Sequence, residues 1–226
     1  MPRPTSATQP SPQAKPGLHL PPSLQALAHD TLSDPAFHLV STTRAATHSG
    51  RGHTLMDRTW NTPSTIPELH SFFRAGSPAT GSGNGDDNDA STRAEVRRFY
   101  EFGGDLNAHP DLLHGGVVSC ILDSGMGAVV ALAMGRGSDA APKEEYHSVR
   151  RGEGGGPPRF TAQLNVRYRR PVRTPGCVVV RGWVEREEGG GRKVWARGVV
   201  EALEGGRSVV HAEGEGLWVS GKNAKI

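Results

Sequence analysis

Residues 114–134 read HGGVVSCILDSGMGAVVALAM. Val117, Val118, Ile121, Leu122, Met126, Val129, Val130 and Leu132 leave no polar face on a 3.6-residue wheel, which predicts a helix buried inside a sheet. Gly135 suits its C-terminal cap. Gly115 and Gly116 open the helix, where the first N–H groups lack internal partners and carry the positive end of the dipole. Two residues without side chains let a ligand approach that backbone closely. The pair therefore fits an oxyanion-binding turn, and it fits equally a tight loop-to-helix turn with no ligand. Asp123 is the one acid in the run. A carboxylate among apolar neighbours is costly unless it is bonded or faces a cleft. It is a candidate general base or nucleophile with a raised pKa, or else a structural acid held by a buried polar group or an arginine.

Outward from this stretch, residues 136–158 are Gly, Pro and charge, and predict a loop. From Phe160 to Arg169 the chain alternates. Phe160, Ala162, Leu164, Val166 and Tyr168 fall on one face, and Thr161, Gln163, Asn165, Arg167 and Arg169 on the other. Further strands are predicted at 177–185, 192–203 and 208–219, joined by hairpin turns at 187–190 and 204–206. On the other side, 96–102 reads as a strand. A strand, a buried helix and then four strands make an α+β order, an antiparallel sheet wrapped around one long central helix.

The first half of the chain is less regular. Residues 1–17, rich in Pro, Ser, Gln and Thr, read as a disordered tail. Residues 18–75 read as a helical extension of two or three short helices, built on Leu24, Leu27 and Leu32 and later on Ile66, Leu69, Phe72 and Phe73. The run from Thr65 through Pro67 to Glu68 marks one helix start. Residues 76–94 read as a flexible linker, 95–219 as the sheet domain and 220–226 as a C-terminal tail. Apolar residues are only 35% of the 226, against 30 Gly and 17 Pro, which agrees with so much predicted loop. Cys120 and Cys177 form no CxxC pair, so neither a disulfide framework nor a zinc site is expected. No apolar run reads as a membrane span, and the N-terminus lacks the apolar core of a secretory signal. The net charge of +3 comes without a basic stripe interleaved with aromatics, so nucleic acid is not an expected partner.

Thr161 is a candidate for orienting a water or the Asp123 carboxylate through its hydroxyl, and it is equally an ordinary strand hydroxyl. Asn107 and His109, just before the helix, are candidates for carbonyl binding or simple turn residues. Arg159, Arg167, Arg169, Arg170 and Arg173 lie in an acid-free window, and Arg192 and Lys193 follow on a later strand. Such a set suits phosphate groups, or it is a solvated strand face. The last three residues, Ala224, Lys225 and Ile226, resemble a peroxisomal address. The peroxisome is thus the expected location, with cytoplasm or mitochondrion as alternatives.

Together HPDLLHGGVVSCILDSGMG (109–127), FTAQLNVRYRRPV (160–172), GRKV (191–194) and AEGEGLWV (212–219) resemble the hotdog-fold acyl-CoA thioesterase superfamily. They are closest to its phenylacetate-pathway and thioesterase-superfamily-member branch, and DRTWNTPSTI (57–66) is similar to the extensions of fungal members. The resemblance implies hydrolysis of acyl-CoA to free acid and coenzyme A, with no cofactor and no metal. It implies a homodimer or a dimer of dimers as the working form. It assigns the Gly115 N–H as oxyanion donor with Gly116 beside it, and Asp123 as the group that activates water or attacks the thioester. Thr161 supports the water, and His114 flanks the carbonyl. The carbonyl-binding Asn or Gln expected before the turn has no clear equivalent beyond the candidates Asn107 and His109. The loop at 136–158 is also longer than the pattern. A hotdog enoyl-CoA hydratase is one alternative, from a partial match at 104–109, and a non-catalytic acyl-CoA-binding hotdog protein is another. Gly115 and Asp123 lie about 12 Å apart along one helix, so a site shared by two chains is expected, with Asp123 of one facing Gly115 of the other.

Overall fold

The computed structural model describes residues 20–40, 52–76, 93–134 and 159–221. In chain order these form α1 (Pro22–Ser33), β1 (His38–Val40), a π-helical turn (Leu55–Thr59), β2 (Glu68–Arg74), β3 (Glu95–Phe102), β4 (Asn107–His109), β5 (Leu112–Leu113), α2 (Gly115–Met134), β6 (Arg159–Tyr168), β7 (Gly176–Glu188), β8 (Lys193–Glu204) and β9 (Arg207–Ser220). Seven strands make one antiparallel sheet in the order β1-β2-β3-β7-β8-β9-β6, while β4 and β5 form a small hairpin of their own. α2 packs across one face of the large sheet, which is the hotdog arrangement. The expected tail at 1–17, the core of the linker, Gly135, the loop at 136–158 and residues 222–226 lie outside the described residues.

A row of glycines lets α2 approach the sheet. Gly182, Gly198 and Gly214 stand directly opposite one another on β7, β8 and β9. A Cβ at Gly198 would lie 3.0 Å from Cγ of Met126, and one at Gly214 would lie 3.0 Å from its Cε. The row is therefore a trough that Met126 fills. Ile121, Leu122, Met126 and Val129 are fully buried, each contributing about 1.5–3 kcal/mol through burial. One expectation needs correcting here. By length and composition α2 is long and apolar enough to cross a bilayer, but half of it is buried, packed against the sheet.

The extension departs from the expected run of helices. α1 forms with Pro22 in its first turn, but the expected helix start at 65–68 is a hydroxyl-bonded turn. Thr62 Oγ1 and Thr65 Oγ1 lie 2.7 Å apart there, and the chain then enters β2. The physical reason is two-sided burial. Leu69 and Phe73 join the core under α2, whereas Phe72 joins a second core with Leu20, Leu24, Ala28, Phe37, Phe99 and Val179 under α1. A strand covered on both faces loses its alternation and cannot be told from a helix by period.

α1 and β2 are tied to the sheet by a buried charge cluster. Glu95 is fully buried and accepts hydrogen bonds from Arg74 (2.9 Å), Arg97 (2.8 Å) and Arg181 (2.8 Å). Arg97 also donates to the Thr31 hydroxyl of α1 and lies 4.3 Å from the centroid of the Phe37 ring.

The predicted alternation of β6 is broken by a bulge between Thr161 and Gln163. One extra residue reverses the parity of everything beyond it. Thr161 pairs with Trp218, Leu164 with Gly216, Val166 with Gly214 and Tyr168 with Ala212. Thr161 therefore shares the α2-facing side with Leu164, Val166 and Tyr168, rather than lying opposite them as expected. Phe160 falls outside that set and is 40% exposed.

Candidate active site

The small hairpin delivers the chain to the start of α2. The His114 N–H donates to Leu106 O at 2.8 Å, and the His114 carbonyl accepts from Val117 and Val118. The His114 side chain then acts as the cap, its Nδ1 accepting the Gly116 N–H at 2.9 Å. That bond leaves the ring proton on Nε2, pointing a donor away from the helix. It also occupies the Gly116 N–H, which sequence reasoning placed at the substrate. The Gly115 N–H has no acceptor among the described residues, so it is the open donor at the helix N-terminus.

Gly115, Ser119 and Asp123 follow one another at i, i+4 and i+8 on one stripe of α2. β6 runs beside that stripe. Thr161 donates to Asp123 Oδ1 at 2.9 Å. Tyr168 donates to the Gly115 carbonyl at 2.9 Å and meets the Ser119 hydroxyl at 2.5 Å. Burial pushes the Asp123 carboxyl up from its ordinary range, and the Thr161 hydrogen bond offsets part of that rise. Burial, and then the neighbouring Asp123 charge, also raise the Cys120 thiol, which disfavours a thiolate nucleophile. Ser119 and Tyr168 were missed as site residues. Helical spacing from Gly115 was the available signal for Ser119. Tyr168 falls on the apolar face of the predicted strand, where nothing in the sequence singles out its hydroxyl.

Asn107 stands opposite Leu113, next to the turn, and its Oδ1 accepts from the buried Thr174 hydroxyl. Its amide N–H groups have no acceptor among the described residues. His109 lies near the exposed tip of the hairpin, away from the turn. The basic residues do not form one patch. Arg192 and Lys193 lie at the Ser220 end of β9, whereas Arg167, Arg169 and Arg170 lie near its Ala212. The window is acid-free only in sequence. Arg169 pairs with Glu213 at 2.9 Å and Arg170 with Glu204 at 3.5 Å, both acids arriving from neighbouring strands. Among the described residues, no group of three or more His, Cys, Asp or Glu is placed to hold a metal ion.

The profile of the thioesterase superfamily matches residues 111–189, from the hairpin through α2 and β6 to the end of β7. This segment belongs to the thioesterase superfamily. The thioesterase-superfamily segment thus contains the Gly115 turn, Asp123 and Thr161. Among solved structures, a thioesterase superfamily protein is 25% identical over 56% of this chain and 49% of its own, with a TM-score of 0.41. A thioesterase family protein from Silicibacter pomeroyi is 20% identical over 56% of this chain and 76% of its own, with a TM-score of 0.42. A protein from Bacillus halodurans solved with CoA is 21% identical over 55% of this chain and 65% of its own, with a TM-score of 0.37. The chain spans about half the length of the first of these. No curated protein sequence matches it.

Proposed function

We propose that the protein hydrolyses acyl-CoA thioesters to free acid and coenzyme A, at a site made by two copies of the chain. The observation that carries this reading is the division of labour along α2. The open Gly115 N–H, with the His114 ring and Asn107 nearby, makes one half of a hydrolytic site. Asp123, held by Thr161 and raised in pKa, makes the other. The halves lie about 12 Å apart on one helix, and an oxyanion donor must sit about 3 Å from the oxygen it stabilises. Asp123 takes a proton from water as the water oxygen bonds to the thioester carbon, or it attacks that carbon itself to give an anhydride that water then hydrolyses. The carbonyl oxygen gains charge against the Gly115 N–H, and the coenzyme A sulfur leaves and is protonated.

The sheet edge supports a two-chain site. β6 offers ten residues on an edge that no other strand among the described residues pairs with, with Phe160 40% and Tyr168 53% exposed and neither Pro nor Lys within it. Such an edge invites a partner strand. Antiparallel pairing of β6 with its copy about a twofold axis runs the two α2 helices in opposite directions and sets each Asp123 toward the other Gly115.

A panel of acyl-CoAs and 2-enoyl-CoAs tests the activity, following free thiol and enoyl absorbance together. Thiol release is expected. Loss of enoyl absorbance without thiol indicates the hydratase, and binding without either change indicates a non-catalytic acyl-CoA protein. Replacing Arg169 and Arg170 with Ala should raise KM more than it lowers kcat, and affinity should weaken with salt. Unchanged affinity for coenzyme A at low salt would show that Glu213 and Glu204 keep these arginines from phosphate.

A further inference from the structure

Arg98 is 1% exposed and lies on the α2-facing side of β3 with Val96, Tyr100 and Phe102. Its Nη1 donates to Ser124 of α2 at 2.6 Å. Among the described residues no carboxylate pairs with it, and its Nε–H has no partner. The guanidinium thus lies in the interior with no carboxylate among the described residues to compensate it. Two further buried polar atoms without partners face the same way. Ser71 stands directly opposite Arg98 on β2, and its hydroxyl is unbonded. So is the hydroxyl of Tyr100, two residues along β3. The three groups have one chemical trait in common. Arg Nε–H is only a donor, and each hydroxyl has a proton to give. An unfilled set of donors next to a fixed positive charge calls for an anion rich in acceptors, and a carboxylate offers two oxygens to such donors.

We propose that Arg98, Ser71 and Tyr100 bind a second carboxylate at the far end of the acyl group, so that the preferred substrate is the coenzyme A thioester of a dicarboxylic acid. The proposal rests on the acyl-CoA reading above. Ser124 directly follows Asp123, so their side chains leave α2 about 100° apart, and the two places are separated by roughly one helix diameter, ~10 Å. A chain of about six carbons between the thioester and the terminal carboxylate bridges such a span. The extension builds this subsite, because Ser71 belongs to β2, outside the segment that matches the family.

The test uses two thioether analogues that cannot be hydrolysed, S-(7-carboxyheptyl)-CoA and S-octyl-CoA, titrated calorimetrically into the full chain. The wild type should bind the carboxylated analogue about 100-fold more tightly, and Arg98→Met should erase the preference. Removing an unpaired buried charge should not lower the melting temperature, whereas a purely structural arginine would be missed by the fold. Ser71→Ala and Tyr100→Phe each remove a single hydroxyl and should narrow the preference, which keeps the test decisive if Arg98→Met fails to fold. Equal binding of both analogues by the wild type overturns the proposal and leaves a buried water as the partner of these donors. So does a preference that survives Arg98→Met, or one that both hydroxyl variants keep in full. If neither analogue binds, the acyl-CoA reading falls as well. Hydrolysis of neutral acyl-CoAs without any carboxylate preference removes only the subsite.

Discussion

Asp123→Asn should lower the turnover of acyl-CoA by about a thousandfold and leave substrate binding in place. The amide keeps the shape and can still meet the Thr161 hydroxyl, but it cannot take a proton from water. Gly115→Pro should be as inactive for a different reason. It removes the open N–H, and proline is accepted at the first position of a helix. Co-refolding the two variants in equal amounts should restore about a quarter of the wild-type activity if chains pair at random, because each mixed pair holds one intact site. A mixture that stays inactive although mixed pairs form and bind substrate would sink the shared site, as would an active monomer. The raised pKa of Asp123 adds a pH signature. Activity should rise with pH through that pKa, since the base must be ionised. Thr161→Ala removes the hydrogen bond that favours the ionised form, so its acid limb should move to higher pH. The same shift predicts a gain in stability on losing function. A raised folded pKa gives a contribution that is whole at low pH and declines as pH rises through it. Asp123→Asn should therefore melt higher than wild type near pH 7, with the gap closing in acid.

Glu95→Gln should cost about 3–5 kcal/mol of stability, read from urea unfolding. The change takes the anion from a buried cluster and leaves Arg74, Arg97 and Arg181 facing one another. Burial alone would raise the Glu95 carboxyl, but the Arg181 and Arg97 charges outweigh it and hold it below the ordinary glutamate range. A depressed folded pKa gives stability that is present at neutral pH and lost as pH falls through it. Wild type and variant should thus converge in acid. A variant as stable as wild type at pH 7 would show that the cluster does not fasten α1 and β2 to the sheet.

The central helix and the four strands after it were legible because each buries one face or all faces in a regular period. HGG and Asp123 stand out as candidates because a glycine pair and a lone acid are conspicuous in an apolar helix. β2 was not, since its two covered faces erase the period of two that marks a strand. The side of β6 that carries Thr161 was not legible either, because a bulge leaves no trace in composition and reverses parity within one residue. The acids opposite Arg169 and Arg170 come from strands more than thirty residues away, beyond any local window. Arg98 was hidden for the same reason. One of two adjacent arginines in a strand reads as solvent-facing until the neighbours on both sides are known.

The two ends of the large sheet are unequal, with β1 supplying three residues at one and β6 ten at the other. In the language of polymer chemistry this gives the sheet, among the described residues, a functionality of one. A unit with two reactive ends propagates into filaments, whereas a unit with one couples once and terminates. Pairing through β6 consumes the longer of the two sheet edges among the described residues, and α1 already covers part of the sheet's outer face. Raising the concentration should therefore drive association to a plateau at two chains rather than to an open-ended series.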